Sequence, residues 1–215
     1  MSNPDSFIGE VKEEVRRDRL YRLFRRYGWL GILAVLALVG GTAYREWSTA
    51  NQRLEAEAVG DSILAASSEE SPAERIARLD KIEIDNLDAR AIRDFIVAAA
   101  MLDDGMQDNS LERLDLVSNN KDVSIVYRDL ALLKSIAIRQ DTDPPEDVVK
   151  ELDGMIERDS EFRLLAMEMK AHNLERMGEV AEAISILRIL RSESGVPREM
   201  SNRVAGFLAE LEADS

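Results

Sequence analysis

A single histidine, His172, stands among 42 carboxylates, and the chain has no cysteine. Metal capture or proton transfer would have to be built from that set. One imidazole without a nearby cysteine or second histidine is not a zinc constellation, and the charged helical neighbours of His172 suit a surface or groove position better than a general base. The carboxylate pairs Asp103-Asp104 and Asp141-Asp143 fall where turns are expected, and aspartate is favoured there because it bonds the backbone. DTDPPED (Asp141 to Asp147) lacks the central glycine and terminal glutamate of a calcium loop. No phosphate-cradling glycine loop, zinc helix or serine elbow occurs. The sequence predicts no catalytic centre and no cofactor or metal site, and points instead to binding.

The elements that would present a binding surface are attached to an uncharged run. Between Arg26 and Arg45 lie residues 27–44, YGWLGILAVLALVGGTAY, without a charge. At about 1.5 Å per helical residue they reach roughly 27 Å, close to the hydrocarbon thickness of a bilayer. Both tryptophans of the chain, Trp29 and Trp47, flank the run with Tyr27 and Tyr44. Arg25 and Arg26 precede it, so these six residues are the expected interface anchors of a transmembrane helix over 27–47.

Residues 1–26 form a basic leader with seven lysines and arginines, whereas only Arg45 and Arg53 lie close beyond the run. The positive-inside rule keeps that leader in the cytoplasm and sends the rest across the membrane. Removing the leader's seven basic and five acidic residues from the chain's 28 and 42 leaves a net charge of −16. An anionic domain of that kind does not seek nucleic acid or anionic headgroups. Cleavage after Gly41 and Ala43 would instead release a soluble secreted protein. The long leader, the aromatic flanks and the helical REWSTANQRLEAEA that follows favour a retained anchor.

Beyond the span a helical stalk or linker is expected over 48–71, and a domain over 72–215. SSEESP (Ser67 to Pro72) marks the boundary, with Ser71 and Glu74 spaced as a capping box and Pro72 in the first turn. Helix formers dominate and no period-two alternation appears, so an all-α fold is predicted. Glycine and proline punctuation predicts helices over 86–103, 111–117, 124–139, 146–156, 162–177, 179–191 and 198–211. Short connections make them antiparallel hairpins. Leu111, Val148 and Ile184, taken as equivalent, recur after 37 and 36 residues, the period of an α-solenoid.

The run Ala171-x-x-Leu174-x-x-x-Gly178-x-x-x-x-Ala183-Ile184-x-x-Leu187-x-x-Leu190, with Pro197 beyond, resembles a tetratricopeptide repeat. The unit around Gly105 matches less closely, with Ser110 where a small alanine is expected. The middle unit has DTDPP in place of its glycine. Repeats of this kind behind a basic leader (SFIGEVKEEVRRDRLYRLFRRYGW) and one span resemble the YfgM-type ancillary subunits of the bacterial SecYEG translocon. The resemblance implies a single-pass inner-membrane protein with a periplasmic domain, whose partners are translocon subunits, periplasmic chaperones or newly exported polypeptides. It also implies a groove lined by the first helix of each hairpin. Registered on Gly105 and Gly178, that groove takes Phe95 and Ala99 in the first unit and Leu165, Glu168, His172 and Glu175 in the last. Arg128, Ala131 and Ser135 follow in the middle unit if Asp141 holds the place of the missing glycine. A structural subunit of another envelope assembly, with the groove idle, is the competing reading, and self-association is left open.

Overall fold

The computed structural model describes residue 36, residues 38–51 and residues 53–213. The described residues form helices joined by turns and short irregular connections, with no strand among them. Helix α1 occupies 38–51 and 53–67. It is followed by α2 (Pro72–Leu79), α3 (Leu87–Asp103), α4 (Gln107–Ser118), α5 (Ile125–Arg139), α6 (Pro145–Glu157), α7 (Arg163–Arg176), α8 (Val180–Ser192) and α9 (Arg198–Ala213). The chain divides into two compact units, Met1–Gly60 and Asp61–Ser215.

Ten of the 21 positions of the expected span, 27–35 and 37, lie outside the described residues. Positions 36 and 38–47 are helical, and Leu36, Leu38, Val39, Tyr44 and Trp47 are exposed. Among the described residues no helix is long and apolar enough to cross a membrane.

The second unit begins at Asp61, earlier than the 72 expected from SSEESP. The last turns of α1 belong to its core: Ala66 is buried with Leu79, Val97 and Met101, and Ile63 packs against them. The Ser71 capping box does not form, since its side chain makes no cap hydrogen bond, although Pro72 does open α2. Asn86 caps α3 instead, accepting from the Ala89 amide at 2.9 Å.

Most following helices pack closely on a chain neighbour, while α5 and α6, joined by the long turn, stay further apart and meet through the side chains of a shared core, and the burial pattern repeats. The second helix of each hairpin buries positions i, i+4 and i+7: Ser110, Leu114 and Val117 on α4, Val148, Leu152 and Met155 on α6, Ala183, Leu187 and Leu190 on α8. The first helices do the same with Asp94, Ala98 and Met101, then Asp129, Leu133 and Ile136, then Met167, Ala171 and Leu174. That spacing is one stripe of a 3.6-residue helix, and burying a leucine on it contributes roughly 1.5–3 kcal/mol. Ser110 fills its small-residue position fully buried, donating its hydroxyl to the Ala98 carbonyl at 2.8 Å.

This register moves the middle hairpin by one residue. Nine residues separate Met101 from Ser110 and Leu174 from Ala183, but twelve separate Ile136 from Val148. The DTDPP turn is therefore three residues longer, and Val148 is equivalent to Ser110, not to Leu111. Gln140, not Asp141, stands where Gly105 and Gly178 stand, and its backbone is right-handed helical. The two glycines have φ of +76° and +81° and close their helices with paired amides. Met106 and Gly105 bond to the Met101 and Leu102 carbonyls, and Glu179 and Gly178 to those of Leu174 and Glu175. Asp159, with φ of +54°, ends α6 in the same way without a glycine.

Candidate partner face

Aligning the first helices on their buried stripes shows which side chains share the outward face. On α3 these are Ile92, Phe95, Ala99 and Leu102, and on α5 Tyr127, Leu130, Lys134 and Ala137. On α7 they are Leu165, Glu168, His172 and Glu175. Of the expected residues, Phe95 and Ala99 keep their places, as do the four on α7. Arg128, Ala131 and Ser135 do not, because the longer turn shifts the register by one. Ala131 and Ser135 are buried, and Ser135 accepts the Arg139 Nε at 3.2 Å. Their places on the face belong to Tyr127, Leu130 and Lys134.

The α3 and α5 parts of this face are in direct contact. Phe95 and Tyr127 lie with ring centroids 6.4 Å apart, and the Lys134 ammonium sits 5.9 Å from the Phe95 centroid. At their N-terminal ends Asp88 of α3 accepts both the backbone amide (2.9 Å) and the hydroxyl of Ser124. The Ser124 hydroxyl, and secondarily its amide, hold the Asp88 carboxyl below its ordinary pKa. A carboxylate there also complements the positive end of α5. Between these ties Ile92 remains 42 % exposed and Leu102 39 %. Ile125 and Val126 are exposed at the start of α5.

The α7 part is different because α9 lies against it. Glu168, expected to line an open groove, is buried and receives Nε and Nη2 of Arg203 at 2.9 and 2.8 Å. That bidentate bond holds the Arg203 guanidinium above its usual pKa. His172 is exposed at its edge, but its ring stacks on Phe207 at 4.1 Å. Glu175 is exposed, and Leu165 is half-buried against the cores of α6 to α8. Of the first-helix face, the part that α9 leaves open thus lies on α3 and α5.

Three buried acids on the first helices were not distinguishable from solvated charges in the sequence. Asp94 is held by Arg93 (2.8 Å) and Arg113 (3.3 Å), Asp129 by Arg158 and Ser160, and Glu168 by Arg203. Arg139 ties the long turn to α6 through Asp143 and Glu151. Burial alone would lower its pKa, but these two carboxylates outweigh that and raise it. Arg176 of α7 donates to the Gln140 and Asp143 carbonyls from the other side.

Of the membrane anchors, Arg25, Arg26, Tyr27 and Trp29 lie outside the described residues. Tyr44 and Trp47 are exposed one turn apart, their rings 6.3 Å from each other. Among the described residues no group of three or more carboxylates and histidine converges to hold a metal ion. The described residues form an all-helical, repeat-like fold with exposed apolar side chains on α3 and at the start of α5. No protein-family model, curated protein or solved structure matches the chain.

Proposed function

We propose that the chain is a membrane-tethered adaptor whose helical-hairpin domain, a tetratricopeptide-like α-solenoid, holds polypeptide segments on the α3–α5 face. The observation that carries this reading is the exposed apolar set Ile92, Ala99 and Leu102 on α3, bordered by half-buried Phe95, Tyr127 and Leu130, in a chain of net charge −14. A monomeric soluble surface scatters its exposed apolar side chains singly, whereas a contiguous set marks an interaction site.

The tether rests on residues 27–47 with their aromatic and arginine flanks, and its direction on the basic leader. The cell compartment is then the outer face of a bacterial inner membrane. The YfgM-like leader and repeats make the export translocon the membrane partner, and periplasmic chaperones or emerging polypeptides the partners of the domain. Tethering raises the effective concentration of a weak face beside its membrane partner.

Photo-crosslinking in intact membranes tests the whole reading. Probes within 27–47 should capture translocon subunits, and probes at Ile92 and Ala99 should capture soluble chaperones or exported chains. Capture of neither class from either segment would overturn the adaptor.

A further inference from the structure

We infer that the segment accepted by the α3–α5 face is an apolar one carrying a carboxylate, seated at Lys134. This deepens the proposed function and depends on that face being a binding surface. Helix α5 differs electrically from the domain around it. Its single acid, Asp129, is buried and engaged by Arg158 and Ser160, while Arg139 is engaged by Asp143 and Glu151. Two cations are left over. Lys134 is exposed, lies on the apolar face and touches only the Phe95 ring among the described residues. Among the described residues Arg128 makes no ion pair, and its Nε is shielded from water with no hydrogen-bond partner, an uncommon state for a buried donor.

Asp88, one turn before Ile92 at the N-terminal end of the face, is engaged by Ser124, and on α7 Glu168 is neutralised by Arg203. Lys134 therefore stands on the apolar strip as a cation without an ion-pair partner among the described residues, inside an acidic protein. Charge complementarity favours an aspartate or glutamate beside the apolar anchors of the guest and disfavours a lysine there. Arg128, on the adjoining stripe of α5, adds to the same potential.

The test uses the full chain in detergent micelles and three synthetic peptides of alternating leucine and serine, with aspartate, asparagine or lysine at the centre. Fluorescence anisotropy should rank aspartate above asparagine above lysine. An exposed or half-exposed pair predicts about fivefold between the extremes, shrinking with added salt. Lys134→Glu, an exposed site whose replacement leaves the core untouched, should reverse the order, and Lys134→Met should level it. Equal binding of all three peptides, abolished by Ile92→Asp but indifferent to Lys134→Glu, would overturn the charge preference and leave the face standing. Binding of no peptide would overturn both.

Discussion

Replacing Arg158 by alanine should harm the fold more than replacing the acid it serves. Arg158 follows α6 and is 38 % exposed at its side chain, whereas Asp129 is only 5 % exposed. The guanidinium donates to Asp129 Oδ1 and to the Gly154 carbonyl, and Ser160 donates to Asp129 Oδ2. Arg158→Ala leaves a shielded carboxylate with one hydroxyl for company. Orphaning a fully buried charge costs 3–5 kcal/mol, and water entering the vacated space reduces this to about 3 kcal/mol. Asp129→Asn keeps the shape and an acceptor and leaves Arg158 with solvent and Gly154, so its cost is about 1 kcal/mol.

In the double variant the orphaned group is a neutral amide. Its cost should fall below the sum of the two by about 1–2 kcal/mol. Urea unfolding of the full chain in detergent, followed by helical circular dichroism, reads these differences. For a unit of this size Arg158→Ala should also lower the Tm by about 6–12 °C. An Asp129→Asn loss equal to or greater than that of Arg158→Ala, or strict additivity, would refute the assignment of Asp129 as a buried, paired anchor of α5.

Three further outcomes follow. Gly178→Ala should cost about 1 kcal/mol, because φ of +81° strains any Cβ although open space surrounds it, while Gly206→Ala in the middle of α9 should stabilise by about 0.5–1 kcal/mol; the urea midpoints should move in opposite directions. The folded Asp88 pKa lies below its unfolded value of about 3.9, so the Asp88–Ser124 tie stabilises above that value and fades as pH falls through the folded one; between about pH 5 and pH 3 the parent should therefore lose more stability than Ser124→Ala. Ile92→Arg should abolish peptide binding on the α3–α5 face while leaving the urea midpoint within about 0.5 kcal/mol of the parent.

Helix order was legible because glycine, proline and short polar turns interrupt long apolar-periodic segments. Six of the seven helices after α2 begin and end within two residues of the positions their punctuation predicts, whereas α4 begins at Gln107, a full turn before the expected 111. The register of the middle hairpin was not legible. Leu111, Val148 and Ile184 are all early apolar residues of second helices, but the buried set is Ser110, Val148 and Ala183. A serine that satisfies its hydroxyl on Ala98 does not look like core in a sequence. The same one-residue shift put Arg128, Ala131 and Ser135 in place of Tyr127, Leu130 and Lys134.

Asp159 illustrates a second kind of concealment. It supplies the left-handed residue that ends α6, yet aspartate signals turns of many types, and nothing local marks this one. The burial of Glu168 and Asp129 was not legible because their partners, Arg203 and Arg158, are 35 and 29 residues away. The boundary at SSEESP was displaced for a related reason. A polar turn does end α1, but Ile63 and Ala66 before it already pack into the α2–α3 core.

The central claim is that one face of the domain, across α3 and α5, binds polypeptide. A photo-crosslinking residue placed at Ala99 on that face, or at Leu116 on the exposed side of α4, tests it in the full chain in its native membranes. The expected result is polypeptide adducts from position 99 and none above background from position 116. Absence of adducts at 99, or equal yields from both positions, would contradict it.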